Sequence, residues 1–175
     1  MNLRAKFKHA AKAVTGALTP ESGTDDTTDI LTTLKQEHDE VKELLSELEK
    51  TETAGRRKQL VREIKNALVP HTKAEQKVVY DAVIALRDKD AQTDGQEGYL
   101  EHELASRTLQ RLASIGNAAS PEHRAAGKVL KELVEHHIEE EERQVWGDVR
   151  EHFSDQQRAE MNAEFLRAKT RVRIA

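Results

Sequence analysis

Apolar residues recur every three to four positions along most of this chain, the spacing of one face of an α-helix. From about residue 28 to 50 the stripe is Leu31, Leu34, Val41, Leu45 and Leu48. From about 56 to 87 it is Leu60, Ile64, Leu68, Val78, Val79, Ala82 and Leu86, with Pro70 predicted to kink or split the helix. A polar stretch from Asp88 to Gly98 reads as a loop. A third helix is expected over about Tyr99 to Ile115, with Leu109 and Leu112 on its stripe and Gly116 behind it. Ser120-Pro121 is a good start for a fourth, running to about Phe153 with Leu130, Leu133, Val134, Val145 and Val149 inward. Ser154 with Gln157 has the form of a capping box opening a last helix through about Lys169. Thr27 or Thr28 is the expected cap of the first helix.

The expected fold is therefore all-α: an antiparallel, up-down-up-down four-helix bundle over residues 28–169, followed by a short tail, 170–175. Ahead of it lies an arm, residues 1–27. Leu3, Phe7, Ala10, Val14 and Leu18 there alternate with Arg4, Lys6, Lys8 and Lys12 as a short basic amphipathic helix, and PESGTDDTT follows as a linker. The arm is expected to pack on the bundle or to be loosely ordered, with weak contact to an anionic membrane surface or a partner as the alternatives.

Composition narrows the picture by exclusion. The absence of cysteine removes disulfides, iron–sulfur clusters, thiolate zinc sites and cysteine nucleophiles together. A net charge of −4 gives no basic field of the kind that marks a nucleic-acid binder. No apolar run reaches the roughly 18 residues of a membrane span, and no signal-like stretch opens the chain, so a soluble cytoplasmic protein is expected.

Histidine is the residue that changes the reading. Each bundle helix carries one within its apolar stripe: His38, His71, His102 and His137. Two are followed four residues later by a glutamate, Glu75 and Glu141, which puts acid and imidazole on one helix face. The segments HTKAEQKVVYDAV and HIEEEERQVWGDV align, Val79 over Val145 and Tyr80 over Trp146. The chain reads as two copies of a helix pair, each offering His and HisxxxGlu. Six such groups facing one core must be paired or metallated, since a buried unpaired charge costs several kcal/mol or more and whole-domain stability is only about 5–15 kcal/mol. Two divalent ions would satisfy them, and imidazole with carboxylate suits iron, zinc or copper. The plain alternative is a bundle whose core histidines satisfy one another. His136, with Glu140 four residues on, competes with His137 for the inward position, and the repeat alignment favours His137. Glu37, Glu101 and Glu103 stand near enough to orient the imidazoles, although solvent-facing acids are the simpler reading, and the run Glu139 to Glu142 is expected to be a solvated face with only Glu141 turned inward. Tyr80 and Trp146 are expected to pack below the site, Tyr99 either to approach it or to pack on a loop, and His9, His123 and His152 to be exposed.

These motifs resemble the hemerythrin-like, or HHE cation-binding, domain family: His38 in LKQEHDEVKELL, His71 and Glu75 in VPHTKAEQKVVY, His102 in YLEHELASRTLQ, and His137 and Glu141 in EHHIEEEERQVW. The resemblance covers roughly residues 28 to 168. It implies two non-haem iron ions, oxo- or hydroxo-bridged and spanned by the two glutamates, that meet dioxygen, nitric oxide or peroxide. The oxygen carriers of that family have a second histidine one turn along the third helix, where this chain has Ser106. They have an aspartate five positions after the last histidine, where this chain has Glu141 at four and Glu142 at five. That difference weighs against oxygen transport and toward binding or sensing a small ligand, with no catalytic residue assigned. Peroxide decomposition and iron handling are the alternatives.

Overall fold

The computed structural model describes residues 28–174, so the expected N-terminal helix lies outside the described residues. The described chain is all-helical. Its elements are α1 (Ile30–Lys50), α2 (Ala54–Glu75), a π-helical turn (Gln76–Tyr80), α3 (Asp81–Ile84), α4 (Lys89–Ser114), α5 (Pro121–Arg143), α6 (Val145–His152) and α7 (Asp155–Lys169). Helices α1, α2, α4 and α5 close a ring of contacts, α1 on α2 and α5, α4 on α5 and α2, while α7 lies across α1 and α2. None of the described helices is long and apolar enough to cross a membrane.

The helix ends follow local chemistry. Asp29, rather than a threonine, caps α1 by accepting from the Leu31 N–H at 2.9 Å, and its other oxygen meets Arg158 Nε of α7 at 2.7 Å. Ser120 caps α5 with Pro121 in its first turn, and Ser154 with Gln157 forms a complete capping box on α7. Three expected spans are corrected. The stretch Asp88 to Gly98 is helix, not loop: Asp88 caps α4 by accepting from the Asp90 and Ala91 N–H groups, and Ala91, Gly95 and Gly98 form its inward face. Small side chains gave that face too little hydrophobicity to register as a stripe. The helix is also not split at Pro70: it runs on to Glu75, where the π-turn follows. In the other half the expected single helix to Phe153 is interrupted at Gln144, between α5 and α6.

The apolar core forms two clusters, separated by a polar layer. One contains Leu34, Val79, Val83, Val145, Trp146 and Phe165; the other contains Val41, Leu45, Leu60, Ile64, Leu109, Leu112 and Leu130. Along α1 the chain passes from the first cluster to the second. Along α2 it passes back and along α4 forward again, while α5 lies in the second cluster and α6 returns the chain to the first. On α1, α2 and α4 the crossing falls at a histidine; on α5, His137 stands one residue before Ile138, after which the chain leaves the second cluster. In the second cluster's end of the bundle Arg57 is buried, donating to the Leu48 and Thr51 carbonyls at 2.9 and 3.2 Å and meeting His123 Nδ1 at 3.2–3.3 Å. His123, expected to be exposed, is therefore interior, because a buried guanidinium needs an acceptor there.

Candidate metal centre

His38 (α1), His71 (α2), His102 (α4) and His137 (α5) enter the polar layer from four helices, joined by Glu75 and Glu141; none of the six is more than 6 % exposed. Their donor atoms converge. His38, His71 and Glu75 offer atoms all within 4.8 Å of one another, and so do Glu75, His102 and His137. Glu75 Oε2 lies 3.1 Å from His71 Nε2 and 3.5 Å from His102 Nε2. Glu141 Oε2 lies 3.4 Å from His38 Nε2 and 3.6 Å from His137 Nε2. Each carboxylate thus reaches one imidazole of its own helix and one from the other half of the repeat. His136, one residue away from His137, is exposed.

The imidazoles are turned by carboxylates behind them. His137 Nδ1 meets Glu101 Oε2 at 2.7 Å, His71 Nδ1 meets Glu37 Oε2 at 3.0 Å, and His38 Nδ1 meets Glu142 Oε1 at 3.1 Å. A proton held on Nδ1 leaves Nε2 as a lone pair aimed at the centre, the usual support of a metal-bound histidine. Two of the three acids, Glu37 and Glu101, were candidates from sequence. Glu103 is exposed and pairs with Arg107 instead. Glu142 was expected on a solvated face, yet it turns toward His38, because α1 packs against α5 there. His102 Nδ1 has no such partner.

The layer is badly matched as a purely proteinaceous network. His38 Nε2 and both oxygens of Glu75 and of Glu141 are buried without a hydrogen-bond partner, although imidazoles stand within ion-pair distance. His102 Nε2 and His137 Nε2 face each other at 2.9 Å. Burial would lower the His71 pKa, but Glu75 and Glu37 outweigh it and raise it to about 9. Burial drives His102 well below the usual histidine value, helped by His137. Burial, and then the neighbouring Glu75 charge, push Glu141 well above the usual carboxylate range. Two carboxylates that cannot both ionise beside imidazoles that cannot all protonate are a shortage of positive charge at the centre. The set of nitrogen and carboxylate oxygen donors fits divalent cations, and their charge would remove that shortage.

Tyr80 is the residue that sequence reasoning undervalued. It is fully buried, and its hydroxyl stands 3.4 Å from His102 Nε2 and 3.3 Å from His137 Nε2. Trp146, its counterpart in the repeat, does pack as expected, stacked on His38 with ring centroids 5.6 Å apart. Tyr99 turns away and donates to Asp81 Oδ1 at 2.7 Å. A narrow crevice between α4 and α5 leads to the layer. Asp94, Glu97, Glu101 and Glu140 line it, and buried Tyr80, His137 and Glu141 stand at its inner end. Its free space is about 10 Å³, room for one water-sized body.

Comparison with known proteins agrees with this geometry. No solved structure matches the chain. A DNA nickase from Nostoc sp. is 28% identical over 160 residues, which is 91% of this chain and 44% of that protein, so the chain spans less than half of its relative. The family model of the hemerythrin HHE cation binding domain matches residues 29–149, the stretch that supplies all four histidines and both glutamates. The chain belongs to the hemerythrin HHE cation-binding domain family.

Proposed function

We propose that His38, His71, Glu75, His102, His137 and Glu141 hold two non-haem iron ions, and that the protein binds or senses a small diatomic or peroxide ligand there (O2, NO or H2O2). The observation that carries this reading is the convergence of six buried donor groups, among which His38 Nε2 and all four oxygens of Glu75 and Glu141 lack hydrogen-bond partners. Glu75 and Glu141 each reach across the two halves of the repeat, as carboxylates shared between two cations would. Iron bound there would supply open coordination positions and accessible redox states. The chain's own part is to fix the donors, to hold Nδ1 protons on Glu37, Glu101 and Glu142, and to exclude bulk water.

The alternating order in which α1, α2, α4 and then α5 with α6 run between the two core clusters supports an up-down-up-down antiparallel bundle. We assign residues 28–169 to it, with 1–27 as an arm and 170–175 as a tail. The narrowness of the crevice favours a ligand of very few atoms. Its acidic lining would repel phosphates, and the chain spans only 44% of the Nostoc DNA nickase, so nicking is not carried over to this chain.

Elemental analysis of untagged protein tests the centre, with about two irons per chain expected. Anaerobic ferrous protein should then change its optical spectrum on addition of dioxygen or nitric oxide. Turnover of peroxide with oxygen evolution, lost in His137→Ala, would move the assignment to an enzyme. Iron that leaves readily, with no response to either gas, would move it to iron handling. A protein that takes up no iron would overturn the metal reading altogether.

A further inference from the structure

We propose that the Tyr80 hydroxyl is a further protein ligand of the centre, an oxygen donor to the cation held among Glu75, His102 and His137. The proposal rests on the two-cation reading above and assigns it a seventh donor. The hydroxyl lies 3.4 Å from His102 Nε2 and 3.3 Å from His137 Nε2, while those nitrogens are 2.9 Å from each other. Three donor atoms so spaced face one point. As hydrogen bonds the two contacts from the hydroxyl are long, since a well-made O–H bond to a polar acceptor is nearer 2.8 Å.

Two features of the backbone put the hydroxyl there. Tyr80 follows His71 by 80 − 71 = 9 residues. In a regular helix nine steps of about 100° place a side chain on the far face. The π-turn Gln76–Tyr80 takes up an extra residue and swings Tyr80 back toward the layer. The second feature is Gly98 on the facing helix. A Cβ at that position would stand 2.6 Å from Tyr80 Cζ and 2.9 Å from its hydroxyl oxygen, so only glycine leaves room for the phenol end. The ring is then clamped between His102 and Tyr99, with centroids 5.1 and 5.7 Å away.

The repeat sharpens the point. Trp146 occupies the equivalent position in the other half and stacks on His38, but an indole N–H can only donate. An oxygen donor is therefore offered to one cation and not to the other, which makes the two positions chemically unequal. Ligation would replace the phenol O–H bond by an oxygen–iron bond, the proton passing to solvent.

The test uses the full chain, loaded with ferrous iron and oxidised by air. The protein has two tyrosines, Tyr80 and Tyr99, so a phenolate signal has two possible sources. The expected result is a visible phenolate-to-ferric charge-transfer band with tyrosinate modes in resonance Raman. Both should vanish in Tyr80→Phe at unchanged iron content, persist in Tyr99→Phe, and weaken in Gly98→Ala. If Tyr80→Phe does not fold, Tyr99→Phe still decides, because Tyr80 is then the only phenol. Iron-loaded protein without the phenolate signature, or a signature that survives Tyr80→Phe, would overturn this inference and leave the two-cation reading standing. A wild-type chain that binds no iron would overturn both.

Discussion

The carboxylates behind the histidines offer the most exacting check on the centre, because they touch no part of it directly. The contact of His137 Nδ1 with Glu101 Oε2, at 2.7 Å, is shorter than those of His71 with Glu37 and His38 with Glu142. Glu101→Ala leaves Nδ1 of a nearly buried ring without its acceptor. The ring can then turn, or carry its proton on Nε2, where it no longer has a lone pair to give. Loss of such a partner weakens metal binding by about 10–100-fold, or about 1.4–2.8 kcal/mol. Glu101→Gln should fall between wild type and Glu101→Ala, since an amide oxygen still accepts the Nδ1 proton but brings no charge. Glu103→Ala is the control: it lies two positions away, is exposed and pairs with Arg107. The assay is anaerobic competition for ferrous iron against a coloured chelator, with the melting temperature of each metal-free variant confirming its fold. Equal affinity in Glu101→Ala and Glu103→Ala would refute the orienting role and, with it, the assignment of His137 Nε2 to the centre.

Glu75→Ala and Glu141→Ala should each impair iron binding while Glu139→Ala does little; equal iron content in all three would contradict the inward assignment. Chelation of protein that had held iron at about 100 times its dissociation constant should remove about 2.7 kcal/mol, or roughly 5–11 °C in melting temperature. An unchanged melting curve would show that the metal adds nothing to the fold. Burial, then the hydrogen bond to Asp81, raise Tyr99 to about 12. A raised folded-state pKa means that its contribution is intact below the unfolded value of about 10 and is lost as pH rises through 12. In Tyr80→Phe the remaining phenol should therefore ionise near 12 by ultraviolet titration, and a midpoint near 10 would deny the contact. Arg57→Met removes the donor to the Leu48 and Thr51 carbonyls and should cost about 3 kcal/mol in denaturant unfolding, whether or not metal is present.

Much of this protein can be read from one periodicity. Leu34 and Val41 on either side of His38, and Leu68 ahead of His71, compel those imidazoles inward, because helical spacing fixes which face a side chain occupies. The HisxxxGlu pairs follow from the same rule, and the capping residues Ser120 and Ser154 act within a few residues of themselves. What sequence left open depends on how helices meet. Asp88 to Gly98 looked like loop because its inward face is alanine and glycine, and only the close approach of α4 to Tyr80 and Ile84 gives those small residues their purpose. Glu142 looked like solvated surface until α1 packed beside it. His123 looked exposed until Arg57 arrived from a helix 66 residues earlier. Tyr80 read as core packing below the site, and the π-turn that brings its hydroxyl into the layer is not a property of its local composition. Sequence determined which groups had to leave water, since that depends on position along a single helix. Tertiary structure decided which of them meet, at what distance and with what behind them, since those contacts join residues far apart in the chain.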